Sequence, residues 1–210
     1  MKHDWKKEEK LYYLPGTNPS LVTIPPVRFF SVKGEGNPND ESFGEYISVL
    51  YSLPYAVKMS PKKGLAPSGY SEYSVYPLEG IWDISEEAKK KKMETLDKNA
   101  LVFNLMIRQP GFITDSYAQK IIEMTSKKKP HPLLEKVRFE TINEGECVQM
   151  LHIGSYDSEP ASFKKMEDFC AANSLKRVSK IHREIYLSDA RKTAPEKLKT
   201  ILRFNVCKLT

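Results

Sequence analysis

Residues 34–50, GEGNPNDESFGEYISVL, and residues 154–170, GSYDSEPASFKKMEDFC, lie over one another at an offset of 120. Gly34 falls on Gly154, Ser42 on Ser162 and Phe43 on Phe163, while Tyr46 and Val49 fall on Met166 and Phe169. Each stretch places apolar side chains at helical spacing after turn and cap residues. They are Phe43, Tyr46, Ile47 and Leu50 in the first, and Phe163, Met166, Phe169 and Cys170 in the second. Two helices are therefore expected, starting near Asp40 and Pro160, with Pro54 stopping the first. The identities are few, and the repeated order of elements around them carries more weight.

That order is strand, helix, strand, strand. Before the first helix, LVTIPPVRFFSVKGEG reads as extended, with Pro25 and Pro26 at an edge or bulge. After it, SEYSVYPLEGIWDI and NALVFNLMIRQPG read as strands, joined by the charged SEEAKKKKMETLDKN. TDSYAQKIIEMTSKKK reads as a helix opened by Thr114. KVRFETINEGECVQMLHIGSY reads as two strands with a turn at Asn143–Gly145. IHREIYLSD and LKTILRFNVCKL complete the second set. The expected fold class is α+β: tandem strand–helix–strand–strand modules in one continuous antiparallel sheet, with a ligand groove between the two helices. The expected boundaries are a polar arm over 1–20 and a domain over 21–210, divided into a first half 21–109, a linker helix 110–130 and a second half 131–210.

With 40% hydrophobic and 10% aromatic residues, the 210-residue chain has the material for a core. It has no apolar run long enough to span a bilayer, and MKHDWKKEEK lacks the apolar stretch of a signal peptide. A cytoplasmic protein without membrane contact is expected. Cys147, Cys170 and Cys207 form no CxxC pattern and read as small buried apolar residues. The formal charge is +6, but the runs Lys89–Lys92 and Lys127–Lys129 are not interleaved with aromatics. They read as solvated surface, so direct nucleic-acid binding is not expected. His3, His131, His152 and His182 form no metal-spaced cluster, and no P-loop, GxGxxG or GxSxG occurs. No metal or cofactor is expected.

Glu184 lies inside the apolar run Ile181–Leu187. Period two puts His182, Glu184 and Tyr186 on one face of that strand and Arg183, Ile185 and Leu187 on the other. Two readings stand: the face meets solvent, or it lines a cavity in which an enclosed carboxylate serves as base or cation partner. The tyrosines at 51, 55, 70, 73 and 76, followed by Trp82, pack a core or stack on a flat ligand.

SEYSVYPLEGIW, VQMLHIGSYDSEP and HREIYLSDARKTAPEKLKTILRFNV resemble the GyrI-like small-molecule-binding domain in its free-standing form. DWKKEEKLYYLP and KMSPKKG look like that form too, so the resemblance runs from about residue 4 to residue 206. It implies tandem modules, a central groove and a pocket carboxylate on the strand that holds Glu184. Trp82 enters the expected pocket through the motif, Tyr186 through its parity with Glu184, Tyr55 and Phe169 through helix and repeat position, and His152 as a further substrate-binding residue in VQMLHIGSY. Where the resembling pattern reads HHEIYLSDPRR, this chain has Arg183 and Ala190. Arg183 is expected to point away from the pocket with little effect, and Ala190 to alter only a turn.

Free-standing members of this kind resemble hydrolases that open the cyclopropane of cyclopropanoid DNA-alkylating toxins. The resemblance therefore implies a cofactor-independent detoxifying hydrolase of a hydrophobic aromatic molecule, with Glu184 as general base. The alternative is a binder or sensor of flat aromatic or cationic molecules without turnover. Related domains form the drug-sensing halves of multidrug activators and a gyrase inhibitor, which leaves a gyrase or other protein partner open.

Overall fold

The computed structural model describes residues 2–91 and 97–209. Lys92 and the METL stretch of the expected charged connection lie outside those residues. In chain order the elements are α1 (Trp5–Glu8), α2 (Lys10–Tyr13), β1 (Ser20–Ile24), β2 (Val27–Glu35), α3 (Glu41–Met59), β3 (Leu78–Ile84), α4 (Glu86–Lys91) and β4 (Leu101–Arg108). They continue with α5 (Asp115–Lys128), α6 (Pro132–Lys136), β5 (Arg138–Ile142), β6 (Gly145–Ile153), α7 (Glu159–Ala172), β7 (Leu175–Arg177), β8 (His182–Tyr186) and β9 (Lys199–Lys208). The class is α+β with antiparallel pairing, as the sequence predicts. No helix among the described residues is long and apolar enough to cross a membrane.

Two compact units divide the chain: one is built on Val27–Ile142 with His3, and the other joins Asp4–Pro26 to the chain from Asn143 onward. In the first unit the strand order is β3-β4-β2-β5. In the second it is β8-β9-β6-β1, with β7 also on β9. In both, the strand before the long helix pairs with the last strand of its module, which pairs in turn with the third. That shared order is the duplication expressed in hydrogen bonds.

The outermost strands are exchanged. β1 runs directly into β2 yet pairs with β6, and β5 runs directly into β6 yet pairs with β2. The 136–156 segment therefore yields the two expected strands, but they do not form a hairpin. Gly145 supplies a left-handed φ of 69° where the chain passes between units. Residues 131–142, expected in the second half, pack with the first, and so does α5. The expected polar arm is also more ordered than its composition suggests, because Trp5 and Tyr13 are buried with ring centroids 5.4 Å apart.

Pro54 does not stop α3, which continues to Met59. An interior proline costs about 3 kcal/mol or more. Leu50, Leu53 and Val57 are fully buried on the same helix, and burying such side chains is worth about 1.5–3 kcal/mol each. The packing face outweighs the lost hydrogen bond, and the Tyr73 hydroxyl donates to the Pro54 carbonyl. Thr114 caps α5 as expected, accepting from the Tyr117 N–H. Cys147 and Cys170 are buried, but Cys207 is exposed near the end of β9, against the expectation for all three.

Candidate functional site

The second unit gathers titratable side chains on one face of β8. In the ladder Glu184 stands opposite Leu202, and Leu202 packs in the core beneath α7 with Val148, Met150, Met166, Cys170 and Phe204. Partners in an antiparallel ladder share a side, so Glu184, His182 and Tyr186 face α7. Phe163 of α7 meets His182 edge-on with centroids 4.8 Å apart. Arg177 lies over Phe163 and Phe204 and donates to Glu167 and to the carbonyls of Ser179 and Lys180, fixing the segment that leads into β8.

Glu184 is 9% exposed, so its side chain does not lie open to solvent. His182 Nε2 lies 3.1 Å from Glu184 Oε1. Glu159, in the first turn of α7 and 6% exposed, hydrogen-bonds Glu184 from the other element. Burial, the Glu184 charge, that hydrogen bond and Asp157 push the Glu159 carboxyl up to about 9. A helix N-terminus favours a carboxylate by only about 0.3–1 kcal/mol, and here burial and a neighbouring charge overcome it. Glu159 is thus held in its neutral form at pH 7.

Tyr156 and Tyr186 meet edge to face at 6.1 Å. Although Tyr156 is 40% exposed, burial, Glu184, Glu159 and Asp189 push its phenol up to about 12. It remains a hydroxyl donor across the ordinary pH range.

The turn that carries Tyr156 is pinned by His152. Its Nδ1 is 2.9 Å from Ser162 Oγ, and its Nε2 is 3.0 Å from the Ser155 carbonyl and 3.2 Å from Ser158 Oγ. Gly154 makes the close turn feasible: its φ is 143°, and a Cβ there would fall 2.8 Å from Ser158 Oγ and 3.3 Å from His152 Nε2. His152 is buried with both ring nitrogens occupied, so it positions the turn and α7 rather than presenting itself to substrate.

Of the other residues expected from sequence, Tyr186 joins Glu184, while Phe169 is ten residues beyond Glu159, about 15 Å along α7. Phe169 packs against the core and lines a cleft of about 270 Å³ with Leu21, Asn173, Ser174, Leu175 and Lys208, whose lining holds no carboxylate. Trp82 belongs to the first unit, buried against Phe43 and Phe103 at 5.9 and 5.4 Å. Tyr55 is 51% exposed beside Tyr51, about 18 Å along α3 from Phe43. Glu159 and Tyr156 were missed from the sequence. An acidic residue before a proline reads as an ordinary helix start, and only the fold puts it against Glu184. Arg183 points away from Glu184 as expected, but it is not inconsequential, because it is fully buried on Glu144.

The chain matches the family described as GyrI-like small molecule binding domain over residues 17–206. A solved structure described as a hydrolase from Listeria innocua is 35% identical over 98% of this chain and 100% of its own, with a TM-score of 0.87. Another hydrolase structure from Listeria innocua is 37% identical over 99% of this chain and 100% of its own, with a TM-score of 0.89. The EcmrR C-terminal domain, at 12% identity, 91% and 98% coverage and a TM-score of 0.55, shares the fold. Comparison with curated proteins found no match.

Proposed function

Because the chain belongs to the GyrI-like small molecule binding domain family, we propose that it is a hydrolase that opens the strained cyclopropane of cyclopropanoid DNA-alkylating toxins by adding water. The observation that carries this reading is Glu184: a carboxylate enclosed between β8 and α7, held by His182 and Glu159 and flanked by tyrosines. The full-length likeness to proteins described as hydrolases supports turnover over mere binding.

A cyclopropane fused to a cyclohexadienone is strained, and opening it restores an aromatic ring. Glu184 takes a proton from water as the water oxygen bonds to the cyclopropane carbon. The ring bond breaks, its electron pair passes into the dienone, and the carbonyl oxygen becomes a phenolate. The abstracted proton then returns to that oxygen, so product equals substrate plus water. The Tyr156 hydroxyl is suited to donate to the developing phenolate. A positioned general base contributes roughly 10²–10⁴-fold.

A buried carboxyl site among aromatic rings also suits a flat cation, which keeps the binder as the second reading. Incubation with a cyclopropanoid separates the two by mass spectrometry. The hydrolase yields a product heavier by one water, and Glu184→Gln lowers kcat by roughly 10²-fold or more while affinity changes little. A binder gives no such product, and the same change costs it affinity for cations.

A further inference from the structure

The first unit carries a polar cleft of about 330 Å³ that the reaction at Glu184 does not use. Ser31, Lys33, Glu135, Lys136, Arg138 and Glu140 line it, and all of them lie within Val27–Ile142. Its volume suits a small ligand. Strand pairing builds the floor. Across β2 and β5, Ser31 stands opposite Arg138 and Phe29 opposite Glu140. Across β2 and β4, Lys33 stands opposite Asn104. Ladder partners share a side and parity repeats every two residues, so Ser31, Lys33, Asn104, Arg138 and Glu140 belong to one face of the sheet.

The carboxylate on that floor is held by neutral donors. Ser31, 2% exposed, donates to Glu140 Oε1 at 2.5 Å, and Asn104 Nδ2 donates to the same oxygen at 3.2 Å. Both bonds fall on Oε1, and Glu140 Oε2 has no partner among the described residues.

The cations stay off the carboxylates. Lys33, Lys136 and Arg138 line the cleft together with Glu135 and Glu140, yet among the described residues no ion pair joins any of these cations to either carboxylate. Arg138 Nη1 donates to the carbonyls of Glu135 and Val137, which ties its guanidinium to the end of α6. The ammonium groups of Lys33 and Lys136 have no partner among the described residues. Lys33 is a diagonal neighbour of Arg138 in the ladder, so like charges crowd one rim. Like charges held together and opposite charges held apart are both relieved by a ligand that carries both signs.

The charge balance narrows the class. Three cations against two carboxylates leave one positive charge in excess. A phosphomonoester carries about two negative charges at neutral pH, so one that also bears a primary amine has about one in excess and matches the cleft. An amino acid, with one charge of each sign, leaves the excess uncompensated.

We propose that this cleft binds a small phosphorylated amine, with the ammonium on Glu140 Oε2 and the phosphate among Lys33, Lys136 and Arg138. The cleft belongs to the first unit and Glu184 to the second, so the proposal does not rest on the hydrolase reading.

The test is calorimetric titration of the full chain at low ionic strength with phosphoethanolamine, inorganic phosphate, ethanolamine and glycine. Phosphoethanolamine should bind about tenfold or more tightly than any of the other three. Glu140→Gln keeps an oxygen for Ser31 and Asn104 but removes the charge. It should bring phosphoethanolamine down to the affinity of inorganic phosphate and leave inorganic phosphate no weaker than in the parent. Lys33→Gln and Lys136→Gln alter exposed side chains and should each weaken phosphoethanolamine by about threefold or more. No saturable binding of phosphoethanolamine at millimolar concentration overturns the site. So does inorganic phosphate binding as tightly as phosphoethanolamine, or glycine doing so. Full affinity for phosphoethanolamine in a folded Glu140→Gln protein removes the ammonium seat, and full affinity in both lysine variants removes the phosphate seat.

Discussion

Ile84 and Glu184 hold the same place in the two repeats. Phe43 packs on Phe103 as Phe163 packs on Phe204, and Phe43 meets Trp82 as Phe163 meets His182. Two residues further along each third strand, Ile84 stands opposite Leu101 and Glu184 opposite Leu202. The same scaffold position is apolar in one unit and acidic in the other. Glu79, a conceivable alternative acid, sits on the opposite strand parity from Trp82 and so is not the counterpart of Glu184.

Trp82 is expected to act through packing. Replacing it with Ala removes an indole buried against Phe43 and Phe103 and should cost about 3–5 kcal/mol. Trp82→Phe keeps a ring there and should cost clearly less. Denaturant unfolding measures both, and a loss under about 1 kcal/mol for Trp82→Ala would remove it from the core.

Glu144 is expected to be a stability residue of the second unit. Its two oxygens receive Arg183 Nε at 2.9 Å and Arg203 Nη1 at 3.1 Å, both arginines being buried and the Glu144 side chain 10% exposed. Arg203 also donates to Gln149 and to the Tyr12 carbonyl, which ties α2 to β9. Glu144→Leu strands two buried cations and should cost about 3–5 kcal/mol. Unfolding of that variant at the parental urea midpoint would count against the network.

The repeat, the two long helices and the shared strand face of His182, Glu184 and Tyr186 were legible because periodicity is local and the segments are short. Phe163 and Met166 announce their face within one helix. The exchange of β1 and β5 was not legible, since a strand's partner is chosen by long-range pairing that no local pattern records. Pro54 misled because a propensity is only a prior, here overridden by Leu50, Leu53 and Val57. Glu159 was invisible for a related reason: its acidity is set by Glu184, 25 residues away in sequence and adjacent only in the fold.

His182 is expected to position Glu184. It is packed edge-on against Phe163 and reaches Glu184 Oε1 at 3.1 Å. His182→Phe keeps an aromatic ring in that slot but loses the bond to the carboxylate. A hydrogen bond to a charged group is worth about 1.5–3 kcal/mol, so kcat should fall about tenfold or more. KM should change little, while Tm falls by several degrees with the lost bond. A rise in KM with unaltered kcat would instead place His182 on the ligand.

The pH dependence of stability reports on Glu159 without any substrate. The ordinary carboxyl value is 4.5 and the folded value about 9, so between them the folded chain keeps a proton that the unfolded chain has lost. Stability from this group is therefore fully present below 4.5 and is lost as pH rises toward 9. The slope in that window is at most about 1.4 kcal/mol per pH unit. Asp189 has the opposite sign, because Arg191 holds it down at about 2, and its contribution is lost only on acidification. It leaves the neutral-to-alkaline window untouched. Urea unfolding at several pH values from about 6 to 9 should show parental stability falling with pH and Glu159→Gln falling less steeply. Parallel curves for parent and variant would mean that Glu159 is ionised in the folded protein throughout this range, and the neutral carboxyl assigned to it would be wrong.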